Sequence, residues 1–374
     1  MTIRLQSRIL TRLSLLAALC GVLSGMPAHA VDLSLKTLRV GSLSRTYFSE
    51  RTSQGAPRPL LIALHASGST GALLARSTDL SEIAEAAGYM VVYPNGTGLT
   101  IGARTWNSGG CCGYAQMHNV DDIAFLRTLI DKLASEGLAD PKRVYIAGLS
   151  NGGMMAYRMA AEAPSTVKAI AVISAVLDVP PETVKTGVPV LHIHGSEDPF
   201  IPFLGGTGTK EPSQVPRLSV AKSIEAWIKA NGADPRPAVN DIPDTAGDGT
   251  TVRQYTYHSK TDPQSVVLYE IKGGGHNWPG SIASMVNGGG KASQNLDASR
   301  TVVDFFNRHG GGVPAEAEDS DLPPGATPLK QPAGTTAGTT GAPAPMMPAK
   351  PTAAPPAAGA PAAPAAPATP VAPR

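Results

Sequence analysis

Arg143-Val-Tyr-Ile-Ala-Gly148-Leu-Ser150-Asn-Gly152-Gly-Met154-Met-Ala-Tyr157 decides the fold. The β-forming apolar run Val144 to Ala147 reads as a buried strand, and Met154 to Ala161 reads as a helix. Between them stands Gly-x-Ser-x-Gly. A strand that reverses sharply into a helix crowds its own backbone on both sides of the turn, so glycine is needed at 148 and 152. Ser150 is then lifted above the sheet edge at a helix N-terminus, where a nucleophile belongs. A glycine-rich turn alone would show the same five positions, so the reading depends on a base and an acid downstream.

Outward from this turn, apolar runs alternate with helical periodicity. Leu35 to Val40 with Arg45 to Phe48 reads as a hairpin. Pro59 to His65, Tyr89 to Tyr93, Val167 to Ile173, Val188 to Ile193 and Ser265 to Ile271 read as strands buried on both faces. Leu80 to Ala87, the segment capped by Asn119-Val-Asp-Asp122, Ser219 to Ala230 and Leu296 to Arg308 read as helices. The alternation predicts an α/β fold with a mainly parallel central sheet and helices on both faces.

The 374 residues, 42% of them hydrophobic, suffice for one larger α/β domain, expected over residues 31–310. A net charge of +2 gives no sign of nucleic-acid binding. Arg4, Arg8 and Arg12 precede the apolar run Leu13 to Leu23, and Ala28-His-Ala30 ends it. This is the pattern of a signal peptide over residues 1–30, predicting a secreted or periplasmic protein cleaved near Ala30. No later run reaches the roughly 20 apolar residues of a membrane span. From about Gly311 the composition turns to Pro, Ala, Gly and Thr, so residues 311–374 are expected to be a disordered tail without a catalytic role.

Cys111 and Cys112 are adjacent. Their Cα atoms would lie about 3.8 Å apart across a trans peptide, against the usual disulfide range of about 4.4 to 6.8 Å. A strained bridge and two buried thiols are both open, whereas a zinc site lacks its other ligands. No metal and no cofactor is expected.

The acid and base are sought at the carboxyl ends of strands. Asp198, in His194-Gly-Ser-Glu-Asp198-Pro, follows one strand; the neighbouring Glu197 competes, but Pro199 restricts the backbone after Asp198 and favours it. His276, in Gly273-Gly-Gly-His276-Asn-Trp278-Pro, follows the last strand on a glycine-rich loop. His192 and His194 lie within a strand and read as core or supporting residues. The chain order Ser150, Asp198, His276 is that of α/β-hydrolases. In such a set His276 takes the serine proton and Asp198 fixes its tautomer. An oxyanion would be met by the backbone N–H of Asn151 and by a second donor after His65, Ser67 by preference and Ala66 as the alternative.

Six ordered blocks carry a resemblance: His65-Ala-Ser-Gly-Ser, Trp106-Asn-Ser-Gly-Gly-Cys-Cys-Gly, Val120-Asp-Asp-Ile-Ala-Phe, Gly148-Leu-Ser-Asn-Gly-Gly-Met, His194-Gly-Ser-Glu-Asp and His276-Asn-Trp-Pro-Gly. Over about residues 35–308 the chain resembles the secreted polyhydroxybutyrate depolymerase-type esterases, which are similar to feruloyl and acetylxylan esterases of carbohydrate esterase family 1. The resemblance implies an α/β-hydrolase fold, metal-free serine esterase chemistry on a small, oligomeric or polymeric ester, and Ser150, Asp198 and His276 as the triad. It also suggests Trp106 and Trp278 as substrate contacts. Ala66 departs from the His-Gly pair common in such families, and the tail has no aromatic residues for stacking on a polymer. Hydroxyalkanoate esters and plant cell-wall esters therefore both stand as substrate classes, with a serine peptidase and a non-catalytic binding protein behind them. The oligomeric state is not legible.

Overall fold

A hairpin opens the sheet: β1 (Leu33–Val40) pairs antiparallel with β2 (Leu43–Glu50). The strands that follow are β3 (Arg58–Leu64), β4 (Met90–Pro94), β5 (Ala139–Leu149), β6 (Ala169–Ile173), β7 (Val190–Gly195), β8 (Ala238–Ile242), β9 (Thr251–Tyr257) and β10 (Val266–Lys272). The computed structural model describes residues 33–50, 55–281 and 285–312. The expected signal segment and the Pro/Ala-rich tail lie outside the described residues, apart from Gly311 and Gly312, which pack beside Tyr89 and Ala87.

One sheet runs in the order β1-β2-β4-β3-β5-β6-β7-β10-β9-β8. From β4 to β10 every pairing is parallel, and antiparallel strands lie beyond on both sides. The central strands are parallel because their apolar runs have no polar face to offer water, and each must be covered twice. The sequence reading missed β8 and β9. In β8 only Ile242 is even partly covered and β9 is mostly half-buried, so neither shows the continuous apolar run that marks a central strand.

Seven helices are described: α1 (Gly71–Ser77), α2 (Leu80–Ala86), α3 (Gly113–Met117), α4 (Asp122–Ser135), α5 (Asn151–Glu162), α6 (Val220–Ala230) and α7 (Ala298–Arg308). Caps set their starts: the side chains of Thr70, Asp121, Ser219 and Asp297 accept from the amides of Leu73, Ala124, Lys222 and Arg300. On one face α4, α5 and α6 bury Phe125, Leu129, Met155, Tyr157 and Trp227. On the other, α1, α2 and α7 bury Leu74, Leu80, Val302, Phe305 and Phe306. This is the predicted α/β-hydrolase architecture.

A buried ion pair pins the site side of the sheet. Arg45 of β2 donates to Asp122 Oδ1 of α4 at 2.7 Å and to Asn95 O at 3.1 Å, while Asp122 Oδ2 accepts the amide of Asn107 at 2.8 Å. One contact set thus fixes a strand, a helix and two loops. No helix among the described residues is long and apolar enough to cross a membrane.

Candidate active site

β5 ends at Leu149 and α5 begins at Asn151, so Ser150 alone makes the turn. Its backbone sits at φ +56° and ψ −125°, a conformation that costs a non-glycine residue about 1 to 3 kcal/mol and persists only where its surroundings enforce it. Here they do. A Cβ on Gly148 would lie 2.6 Å from Gly153 N, and one on Gly152 would lie 2.6 Å from Leu64 C and 2.7 Å from His65 O. The amide of Ser150 donates to Ile173 O at 2.9 Å, which ties the turn to the end of β6. As the first residue of α5, Asn151 has no intrahelical acceptor for its N–H and stands at the positive end of the helix dipole.

Asp198 follows β7 and is buried. Its Oδ1 accepts the amides of Phe200 at 2.9 Å and Ile201 at 2.8 Å, and its Oδ2 meets His276 Nδ1 at 2.7 Å. A carboxylate can only accept, so Nδ1 carries the ring proton and Nε2 keeps its lone pair. Burial pushes the Asp198 carboxyl up, but the positive charge that His276 carries when protonated, together with hydrogen bonds from His194 and His276, holds it well below the usual carboxylate range. Glu197 is exposed, its amide spent on Gly274 O. The loop after β10 is fixed by His276 N to Gly289 O at 2.6 Å and by Ser174 Oγ to Asn277 O at 3.1 Å. Ser150, Ser174, Asp198 and His276 thus follow β5, β6, β7 and β10, four consecutive strands of one sheet edge.

Ser67 lies in the loop after β3. The amides of Gly68 and Ser69 are used inside this region, on Arg104 O and Ala66 O. Ala66 and Ser67 line a cleft of about 220 Å³ with Leu73, Leu74, Leu149 and Met285. Leu149 is the last residue of β5, so the cleft reaches the strand end that precedes Ser150.

A profile of the prolyl oligopeptidase family, peptidase family S9, matches residues 77–182, which include the Ser150 turn. Over 299 residues the chain is 34% identical to "Putative esterase NocK" of Nocardia uniformis subsp. tsuyamanensis, a match covering 75% of this chain and 84% of that one. The chain belongs to this α/β-hydrolase esterase family. It is 27% identical over 226 residues to feruloyl esterase B of Piromyces equi, covering 58% of this chain and 39% of that protein's length. The solved acetyl xylan esterase from Aspergillus awamori superposes with a TM-score of 0.52 at 15% identity, over 74% of this chain and 99% of that one. That likeness shows the fold alone.

The structure also places the two tryptophans and the cysteine pair of this esterase. Trp106 and Trp278, read as substrate contacts, are 0% and 1% exposed. The Trp106 indole donates to His65 O at 3.0 Å and stacks on Phe125, and the Trp278 indole donates to Ser299 Oγ at 3.1 Å. Each indole thus ties neighbouring segments together, Trp106 to the end of β3 and Trp278 to the first turn of α7. Cys111 and Cys112, read as either bridged or free, are joined by a disulfide across a cis peptide bond.

Two sets of side-chain contacts in the esterase's site escaped the sequence reading. The Asn151 side chain grips the Trp106 backbone from both sides, accepting its N–H at 2.7 Å and donating to its carbonyl at 3.0 Å. His65 Nδ1 donates to Ala66 O at 2.7 Å while Nε2 accepts the Gly96 amide at 2.9 Å, which holds the loop carrying Ser67. Burial lowers the His65 pKa to about 4, so the ring stays neutral in this double role. A lone histidine ending a strand gives no signal of such bonds.

Proposed function

We propose that this esterase cleaves carboxylic esters through an acyl-enzyme on Ser150. The carrying observation is the buried 2.7 Å bond between His276 Nδ1 and Asp198 Oδ2, three strand ends along the edge from a serine at φ +56°. In this reading His276 Nε2 takes the Ser150 proton as Oγ attacks the ester carbonyl. Asp198 holds the tautomer and stabilises the imidazolium. The Asn151 amide, with Ser67 or Ala66, meets the oxyanion. His276 then returns the proton to the leaving alkoxide, and water repeats the sequence to free the acid.

The substrates are short hydroxyalkanoate esters or oligomers, whose alternating ester and alkyl groups suit a small cleft lined by both Leu73, Leu74 and Met285 and the polar Ser67, Ser69 and Asn287. Feruloyl or acetyl groups on plant cell-wall polysaccharide are the second reading, favoured by the names of two curated relatives, feruloyl esterase B and the acetylxylan esterase/xylanase XynS20E of Neocallimastix patriciarum. The amino-terminal pattern through Ala30 supports export. A panel of short nitrophenyl esters, hydroxybutyrate oligomers, methyl ferulate, acetylated xylan and a prolyl peptide substrate tests this reading. Ester turnover lost in Ser150→Ala is expected; cleavage of the peptide alone would overturn it.

A further inference from the structure

We propose that His194 is a positioning residue for the Asp198–His276 pair, held in one tautomer by a buried file of hydrogen bonds that begins at Tyr157 and passes through His192. The inference rests on the reading of Ser150, His276 and Asp198 given above.

The file is continuous. Tyr157 OH of α5 lies 2.6 Å from His192 Nδ1, His192 Nε2 lies 3.1 Å from His194 Nδ1, and His194 Nε2 lies 2.8 Å from Ile201 O and 3.3 Å from Asp198 Oδ2. Tyr157, His192 and His194 are all fully buried. His192 and His194 are two residues apart on β7, so they share one face of the sheet, and their rings lie 12° from parallel. Trp227 of α6 stacks on Tyr157, and Phe203 meets His194 edge-on. The titratable groups in direct contact with His194 are His192 and Asp198; on the neighbouring strand β10 its register partner is Glu270, whose carboxylate accepts from Tyr255 OH at 2.8 Å.

The direction of the bonds follows from chemistry. Ile201 O can only accept, so His194 Nε2 carries a proton. In the neutral ring Nδ1 then accepts, and the proton shared with His192 belongs to His192 Nε2. Burial drives the His192 pKa well below its ordinary value, so that ring holds no second proton, and its Nδ1 accepts from the Tyr157 hydroxyl. With both rings neutral, one assignment satisfies every atom. Its end is an N–H aimed between Ile201 O and Asp198 Oδ2.

The consequence for the esterase lies in where that N–H ends. Asp198 Oδ1 is held by two backbone amides, whereas among the described residues Oδ2 is met by side chains, His276 and His194. His194 therefore opposes rotation of the carboxylate as His276 gains and loses its proton in each half of the cycle. Packing alone would be met more cheaply by apolar residues on this face, since each buried imidazole must find partners for two nitrogens.

The test has two parts on the full chain. Long-range 1H–15N spectra of the imidazoles at neutral pH should show His192 and His194 as neutral Nε2–H tautomers. An Nδ1–H or doubly protonated His194 overturns the proposal, whatever any variant does. In steady-state kinetics on a short nitrophenyl ester, His194→Phe keeps the ring's shape and removes the donor; kcat should fall about tenfold with KM within about twofold. His194→Gln, whose amide can replace the donor, should recover part of the loss, and Tyr157→Phe should lower kcat by about threefold. Unchanged kcat in a folded His194→Phe, with Ser150→Ala inactive, sinks the positioning role alone. Turnover surviving in Ser150→Ala would instead remove the reading on which it rests.

Discussion

Asp198 accepts on both oxygens, and the asymmetry between its partners governs what substitution should do. Asp198→Asn keeps the shape but replaces an acceptor with an amide, so His276 loses the partner that fixes its tautomer. Ester turnover should fall about a thousandfold or more with the fold intact by circular dichroism. Glu197→Gln, on an exposed side chain, should change turnover by less than about twofold; a larger loss there than at Asp198 would reverse the assignment of the acid. At His65 the sign of the pH dependence is fixed by burial. Its pKa is about 4 folded against 6.5 for the free side chain, so the unfolded chain binds the extra proton between those values. The contribution to stability is complete above about pH 6.5 and is lost as pH falls toward 4, up to about 3 kcal/mol. An NMR titration should find this imidazole still neutral at pH 5.5.

Among the elements, the β5–α5 turn and the β2–α4 ion pair show how tightly the site is built. Gly152→Ala would push a methyl group into the carbonyl end of β3, with no flexible side chain to give way. Destabilisation of about 3 kcal/mol or more is expected, read as a lowered Tm. Arg45→Ala would strand the Asp122 carboxylate in a buried site, a loss of about 3 to 5 kcal/mol in chemical denaturation. The turn was legible because crowding at two positions dictates glycine and the flanking runs are unambiguous. So were the apolar strands β3 to β7 and β10, each bounded by turn residues. The loop residues Asp198 and His276 could be proposed because a parallel sheet gathers its strand ends. By contrast, β8 and β9 lack a buried run, α1 and α3 are too short to show a period, and Arg45–Asp122 joins residues 77 positions apart. The Tyr157, His192 and His194 file escaped for the same reason: it exists only once Tyr157 of α5 reaches His192 of β7.

Over the whole molecule, the sheet order explains why residues 150, 198 and 276 can act together although unrelated segments separate them in the chain. β5, β6, β7 and β10 are neighbours, while β8 and β9, which precede β10 in sequence, are displaced to the far edge. The domain's helices cover both faces of this sheet and leave its carboxyl edge to the loops that form the cleft. The composition of the chain after Gly312, poor in large apolar residues, predicts that deleting residues 315–374 leaves Tm and small-ester turnover unchanged; a fall of several degrees would show that this segment docks. The central claim is that Ser150 is the nucleophile. Its most direct test is treatment of the purified protein with a fluorophosphonate, followed by peptide mapping. A single adduct on Ser150, absent in Ser150→Ala, is the predicted result; an adduct on another residue, or labelling that persists in Ser150→Ala, would contradict it.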